Sequence, residues 1–286
     1  MNQVFKFKNL KHINWSQAII HIILLILMIM VLAPLYFLIV KSFKDPNQDV
    51  MNPFGISFPF DFNNYSIAWL IVKDFLLNTL VIAVLQTSGV LIVCSAAAFG
   101  FMRYNFPHKN TILVCILALM MIPGTLTLIP RFQLVINTFG MKDSFLGVIL
   151  PSIASALPLG IYLIYTFFNG IPRELFEAAE MDGASKFKQY SMIAIPLSMP
   201  IIATLGLMNF MSAWNDLLWP RLILQNESLH TIAIGLVPFT ESYYSVVGSF
   251  GVPFAGYVIV SLPLVIIFLF TSKQFIKGLT SGAFKF

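Results

Sequence analysis

The chain has 286 residues, 58% of them hydrophobic and only 10% charged, with 28 Phe, a mean hydropathy of +0.85 and a formal net charge of +5. This composition excludes a domain solvated on all sides by water and describes an integral membrane protein. The positive charge follows from membrane topology, so a nucleic-acid role is given no weight, and two cysteines support neither a disulfide framework nor a metal site.

A bilayer core about 30 Å thick requires roughly 20 mostly apolar residues per helix. Six stretches reach that length, near residues 18–40, 76–101, 111–133, 145–169, 199–220 and 254–272. Their apolar runs are continuous rather than alternating, which predicts helices and not barrel strands. The first follows Lys6, Lys8 and Lys11 but is longer than the apolar region of a signal peptide and lacks a small-residue cleavage site, so it is expected to be a retained helix. Segment 41–75 carries Pro46, Pro53, Pro59 and several Phe, the pattern of an irregular loop lying along the membrane.

Pro123-Gly124-Thr125 in the third span and Pro151, Pro158 and Gly160 in the fourth predict bent helices. Backbone groups freed at such bends are tolerated where they line a cavity, which makes Thr125 and Gln133 candidates for a solute path; a simple packing kink fits the same residues. Cys94 and Cys115 fall inside predicted spans as small packing residues.

Between the fourth and fifth spans lies a polar segment, residues 172–198. Pro172 stands at the start of a helical stretch with acidic residues in its first turns, where the helix dipole favours them, and Gly183 is placed to end it. Leu175, Ala178, Ala179 and Asp182 recur at three and four residues, giving a small, shallow face bordered by Glu177 and Glu180 and suited to another protein's groove. A second amphipathic piece runs from Phe187 to Ile195, ahead of Pro196 and Pro200.

The fifth span places Asn209, Ser212 and Asp216 at intervals of three and four, on one helical face beside Trp214 and Asn215. Aromatic faces cover the apolar side of a sugar ring while amides and carboxylates bond its hydroxyls. A second reading assigns Trp214 and Trp219 to an interfacial aromatic belt and Asp216 to the outer headgroup level. Segment 221–253 has Gly235, Pro238, Gly248, Gly251 and Pro253 around Tyr243 and Tyr244, which predicts an exposed loop. His21 and His230 are isolated and receive no role.

With the N-terminus inside, the cytoplasmic segments hold Lys6, Lys8, Lys11, Arg103, Lys109, Arg173, Lys186, Lys188, Lys273, Lys277 and Lys285, against Lys41, Lys44, Lys73, Arg131, Lys142 and Arg221 outside. That asymmetry puts both termini and segment 172–198 in the cytoplasm.

The run Glu177-Ala178-Ala179-Glu180-Met181-Asp182-Gly183-Ala184, with Ile195-Pro196-Leu197 beyond it, resembles the EAA loop of permease subunits of bacterial ABC importers. Phe99 to Pro107 after span two, Met121-Ile122-Pro123, Trp214-Asn215-Asp216 and Gly278 to Ala283 extend the resemblance from about residue 20 to the C-terminus. Gly100-Phe101-Met102 departs from the small-and-aromatic pattern expected before Arg103. These stretches are similar to the carbohydrate-uptake subfamily, in particular the smaller maltose-type permease.

The resemblance implies an all-α integral membrane protein with a type I ABC importer permease fold: one domain over 1–286, six transmembrane helices and cytoplasmic termini, in the bacterial cell membrane. It implies that Glu177, Ala178, Ala179, Asp182, Gly183 and Ala184 dock on a cytoplasmic ATPase. The implied assembly has a homologous second permease, two ATPase subunits and an extracytoplasmic solute-binding protein contacted by residues 236–250, including Tyr243 and Tyr244. A carbohydrate is the implied cargo. The chain contains no G-x-x-x-x-G-K-[ST] phosphate loop, so ATP and magnesium are expected on the partner ATPases and no catalysis or cofactor in this chain.

Three alternatives stand beside this reading. An ABC permease for another solute lacks only the sugar-subfamily motifs; an ion-gradient-driven transporter would need ionisable groups at mid-membrane, and a membrane enzyme a cluster of His, Asp, Glu or Cys at one depth.

Overall fold

The computed structural model describes residues 15–283, and the side chains of residues 17–272. Lys6, Lys8, Lys11 and Lys285 lie outside the described residues, as do the side chains of Lys273, Lys277 and the 278–283 motif. Among the described residues every regular element is a helix.

Helix α1 (Trp15–Ser42) stands at the edge of the fold, exposed along nearly its whole length, and packs chiefly against the last helix. The following segment is less irregular than its prolines predict. Asp45 caps a short α2 (Pro46–Met51) through a reciprocal capping box with Gln48.

Helix α3 (Asn63–Arg103) then runs for 41 residues, about 60 Å at 1.5 Å per residue. The expected span began only at 76. Lys73 and Asp74 lower the apolarity of its first turns, so the helix extends past the stretch that hydropathy marks as membrane.

The third expected span is not one helix. It resolves into α4 (Lys109–Ala118), a 3₁₀ turn at Leu119–Met121, an irregular segment over 122–127, and α5 (Leu128–Gln133) continued by a π turn at Leu134–Thr138. Pro123 is the cause. It disfavours the helical conformation in the residue before it, and Ile122 is extended at φ −84°, ψ 115°.

Ser144 caps α6 (Phe145–Phe168), its Oγ accepting from the Leu146 amide at 3.2 Å. The helix carries Pro151 and Pro158 in its interior and packs extensively on α3. Small residues let the two backbones approach: a Cβ on Gly160 would lie 2.5 Å from the Cys94 sulfur.

Beyond α6 come α7 (Arg173–Met181), α8 (Lys186–Gln189) and a π turn at Tyr190–Ala194 that continues into α9 (Ile195–Leu197). At Ser198 the chain bends by 78° into α10 (Met199–Asn215). This helix ends earlier than expected because Asp216 is extended (φ −72°, ψ 111°), and a separate α11 (Leu218–Ile223) follows.

Residues 221–253 correct the sequence reading, which expected a loop. Most of the segment is α12 (Ile232–Val247), with Gly235 and Pro238 inside it. Gly235 gives the Phe75 ring room against the helix backbone, and Gly248, at φ +70°, ends the helix as a left-handed cap. Helix α13 (Gly251–Ala283) completes the fold.

Among the described residues four helices are long and apolar enough to cross a membrane: Gln17–Ser42, Asn63–Arg103, Phe145–Phe168 and Gly251–Ser272. The pair Lys186–Leu197 and Met199–Asn215, bent by 78°, passes the same test when its two arms are taken together as one span. Packing is organised around α3. One apolar cluster joins Cys94, Phe99 and Phe101 to Ile164 and Phe168 of α6 and Phe176 of α7; another joins Val72 and Leu76 to Phe210 and Trp214 of α10 and Val260 of α13.

Candidate functional site

The polar segment after α6 is built as a rigid projection. Helix α7 ends in a Schellman arrangement: Asp182 caps it, Gly183 adopts φ +75°, the Gly183 amide donates to the Glu180 carbonyl at 3.0 Å and the Ala184 amide to the Ala179 carbonyl at 2.8 Å. Ser185 at once caps α8 through its side chain. The expected helix stop at Gly183 is therefore found with a defined geometry.

One side of α7 is anchored. Phe176 is 2% exposed and meets the Phe99 ring at 6.4 Å, an arrangement that joins the helix to the packed ends of α3 and α6. Burying a Phe side chain is worth about 1.5–3 kcal/mol relative to leaving it in water. The opposite side is free: Leu175, Glu177, Ala178, Asp182 and Gly183 are exposed, while Ala179 and Ala184 are half-buried. Met181 and Phe187 flank that face at 90% and 75% exposure. The sequence reading placed Met181 in the Glu177–Ala184 run and Phe187 at the start of the second amphipathic piece but gave neither a contact role, although an apolar residue inside an otherwise polar loop is the signal for a contact surface.

Arg103, read from sequence as a cytoplasmic charge and as part of the Phe99 to Pro107 motif but given no site role, is the hub of this region. Its Nη2 donates to Glu180 Oε2, its Nε donates to Gln189 Oε1 at 3.1 Å, and its guanidinium lies 5.9 Å from the centre of the Phe176 ring. Glu180 Oε1 accepts from Lys186 Nζ at 2.6 Å. The hydrogen bond from Lys186, with the nearby charges of Lys186 and Arg103, holds the Glu180 carboxyl below the usual glutamate range.

The candidate solute-path residues do not share one surface. Asn209 is buried, and its Nδ2 donates to the Leu205 carbonyl at 2.9 Å. Trp214 is buried and stacks on Phe210 at 5.5 Å within the α3–α10–α13 packing. Ser212 and Asn215 are exposed. Asp216 has left the helix, and its Oδ1 accepts from the Trp219 amide at 3.2 Å. Trp214 and Asn215 border a cavity of about 420 Å³ together with Leu38, Tyr257 and Ser261. Thr125 is exposed in the irregular segment of the broken third span, and Gln133 is exposed at the end of α5.

A larger cavity, about 850 Å³, lies between that broken span and α6, bordered by Gly124, Thr127, Pro151, Ser155 and Pro158. Arg131 is the charged group on its wall, stacked 3.9 Å over the Trp219 ring and donating from Nη1 to Ser155 Oγ at 3.1 Å. Sequence reasoning treated Arg131 as an outer charge because its partners lie 24 and 88 positions away in the chain. Tyr243 is half-buried on the wall of another cavity of about 800 Å³ beside α12, and Tyr244 stacks on Phe250 at 4.2 Å. Among the described residues no group of three His, Cys, Asp or Glu side chains is arranged to hold a metal.

Residues 89–280 match the family model described as "Binding-protein-dependent transport system inner membrane component". The arabinooligosaccharides transport system permease protein AraQ of Bacillus subtilis is 31% identical, over 91% of this chain and 93% of that protein. The maltodextrin transport system permease protein MalD of Streptococcus pneumoniae is 27% identical over the full length of both. Among solved structures, a chain of a bacterial ABC transporter that imports the acidic polysaccharide alginate has the same fold, with a TM-score of 0.81 at 20% identity, covering 94% of this chain and 99% of that one. With the EAA-like projection already on a type I permease fold, these matches make the chain a member of the binding-protein-dependent transport system inner membrane components, the non-catalytic, multi-pass permease subunits of ABC importers.

Proposed function

We propose that this permease takes up a sugar or oligosaccharide as half of a permease heterodimer, served by two cytoplasmic ATPases and an extracytoplasmic binding protein. The observation that carries the coupling half of the proposal is the α7 projection: one side buried through Phe176, the other exposing Glu177, Ala178, Asp182 and Gly183. The sugar assignment is supported by relatives named for arabinooligosaccharide and maltodextrin transport.

In this reading the chain is one membrane domain with six crossings, the interrupted segment 109–138 serving as the third, and with both termini in the cytoplasm. ATP and magnesium act on the partner ATPases. Closure of the ATPase dimer displaces α7, with Glu177, Ala178, Ala179, Asp182, Gly183 and Ala184 seated in its groove, and the spans it is tied to alternate between outward and inward access. Ser212, Asn215, Asp216 and Thr125 contribute to the path, Asn209 and Trp214 support it from within the helix packing, and Tyr243 and Tyr244 meet the binding protein. A broken third span supports a path there, since irregular backbone within a membrane is tolerated where it lines a cavity.

The test is ATPase activity of the copurified complex in lipid, with the binding protein empty or loaded with arabino- or maltooligosaccharides. Stimulation by one loaded sugar is the expected result. Copurification of an ATPase with no response to any sugar overturns the cargo, and absence of an ATPase overturns the coupling.

A further inference from the structure

Helix α7 is joined through the backbone to α6 on one side and, by way of α8 and α9, to α10 on the other. Its side chains are tied elsewhere. Arg103, the last residue of α3, bonds Glu180 on α7 and Gln189 on α8, and Gln189 Nε2 in turn donates to the Ala184 carbonyl at 3.1 Å. One guanidinium thus holds both helices that flank the Gly183 turn. Directly beneath, Phe99 of α3 meets Phe176 and Tyr190 at 6.4 and 5.4 Å, and Ser95 Oγ lies 2.7 Å from the Tyr190 hydroxyl.

We propose that Arg103 is a positioning residue of the coupling step: its fork locks α7 and α8 to the cytoplasmic end of α3, so that displacement of the projection moves α3 as a rigid limb. This rests on the coupling role proposed above for α7. The chemistry favours arginine over lysine, because a planar fork holds acceptors on two different helices in one fixed geometry while the donors of an ammonium rotate on a flexible stem. Glu180 and Lys186 are half-exposed, and exposed ion pairs contribute little to stability, so loss of the fork is expected to change geometry rather than folding.

The experiment uses the assembled transporter in lipid nanodiscs, with Cys115 replaced by Ser and spin labels at the exposed positions Ser88 on α3 and Arg173 on α7. Distances are read nucleotide-free and with Mg-ATP and vanadate. The unaltered fork should give one narrow distribution that is the same in both states. Arg103→Ala should broaden it and shift it between states while the ATPases still copurify; Arg103→Lys should fall between, and Glu180→Gln should act in the same direction. Distributions for Arg103→Ala and Glu180→Gln that coincide with the unaltered complex in both states overturn the proposal. A separate variant, Ala178→Trp with Asp182→Lys on the exposed face, should strip the ATPases from the complex; if they remain bound, the coupling role of α7 fails whatever Arg103 does.

Discussion

Gly160 of α6 faces Cys94 of α3 so closely that a Cβ at 160 would lie 2.5 Å from the cysteine sulfur and 3.4 Å from its Cβ. The contact sits in the apolar cluster that also holds Phe176, so the spacing of α3 and α6 sets where the α7 projection is anchored. Gly160→Ala is expected to overpack this interface at a cost of roughly 1–3 kcal/mol. Cys94→Ala removes the sulfur that the new methyl would meet, so the double variant should recover most of that loss. Denaturant-induced unfolding of the four proteins forms a double-mutant cycle, and additive effects would refute the contact.

At Gly183 the expectation has a different origin. Nothing lies within 4 Å of a Cβ built there, but the backbone is left-handed at φ +75°. A left-handed residue with a side chain costs roughly 1–2 kcal/mol, and Asn tolerates it best. Uptake per ATP should therefore fall in the order Gly, Asn, Ala, Val in a series at 183, with the subunit still inserted. Equal coupling ratios for Asn and Val would show that the left-handed turn is not what the step requires.

Much of this projection was legible in the sequence because its determinants are local: Pro172 before the helix, acidic residues in its first turns, Gly183 one position past Asp182. The Arg103 hub was not, since Glu180 and Gln189 lie 77 and 86 positions along the chain and only folding brings them together. The 122–127 break was half-visible. Pro123-Gly124 marked a bend, yet apolar composition alone does not separate a kinked helix from an interrupted one. Helix α12 was hidden for the opposite reason: Gly235 and Pro238 are turn formers on average, but here packing against Phe75 outweighs local preference.

Asp143 joins two connecting segments, and its behaviour with pH follows from its hydrogen bonds. Its Oδ1 accepts from the Asn226 amide at 2.8 Å and the Gln225 amide at 2.6 Å, and its own amide donates to the Ile223 carbonyl at 3.0 Å. The Asn226 bond foremost, then the Gln225 bond and the charges of Lys142 and His230, hold the carboxyl below the usual aspartate range. A depressed carboxylate contributes stability that is fully present above its unfolded pKa and is lost as pH falls through the folded one. Protection of the amides over 223–230, taken relative to the intrinsic exchange rate at each pH, should therefore be full at neutral pH and fall only below the ordinary aspartate range. Asp143→Ala should lack that protection at every pH; protection in the parent protein that does not change with pH would contradict the assignment.

The two neighbours Trp214 and Asn215 should separate into different roles despite their adjacency. Trp214 is 4% exposed, stacked on Phe210 and packed against α3 and α13, whereas Asn215 is exposed and bonded only to the Met211 carbonyl of its own helix at 2.8 Å. Truncating a buried tryptophan typically costs about 3–5 kcal/mol. Trp214→Ala should accordingly lower the unfolding midpoint and the amount of inserted protein, while Trp214→Phe retains both. Asn215→Ala removes no core contact, so its stability should match the parent while uptake falls or the preferred oligosaccharide changes. The contrast tests the path directly: an Asn215 variant with unaltered uptake for every sugar tried would remove that residue from the path, and a Trp214→Phe variant that keeps its stability but loses uptake would return the tryptophan to it.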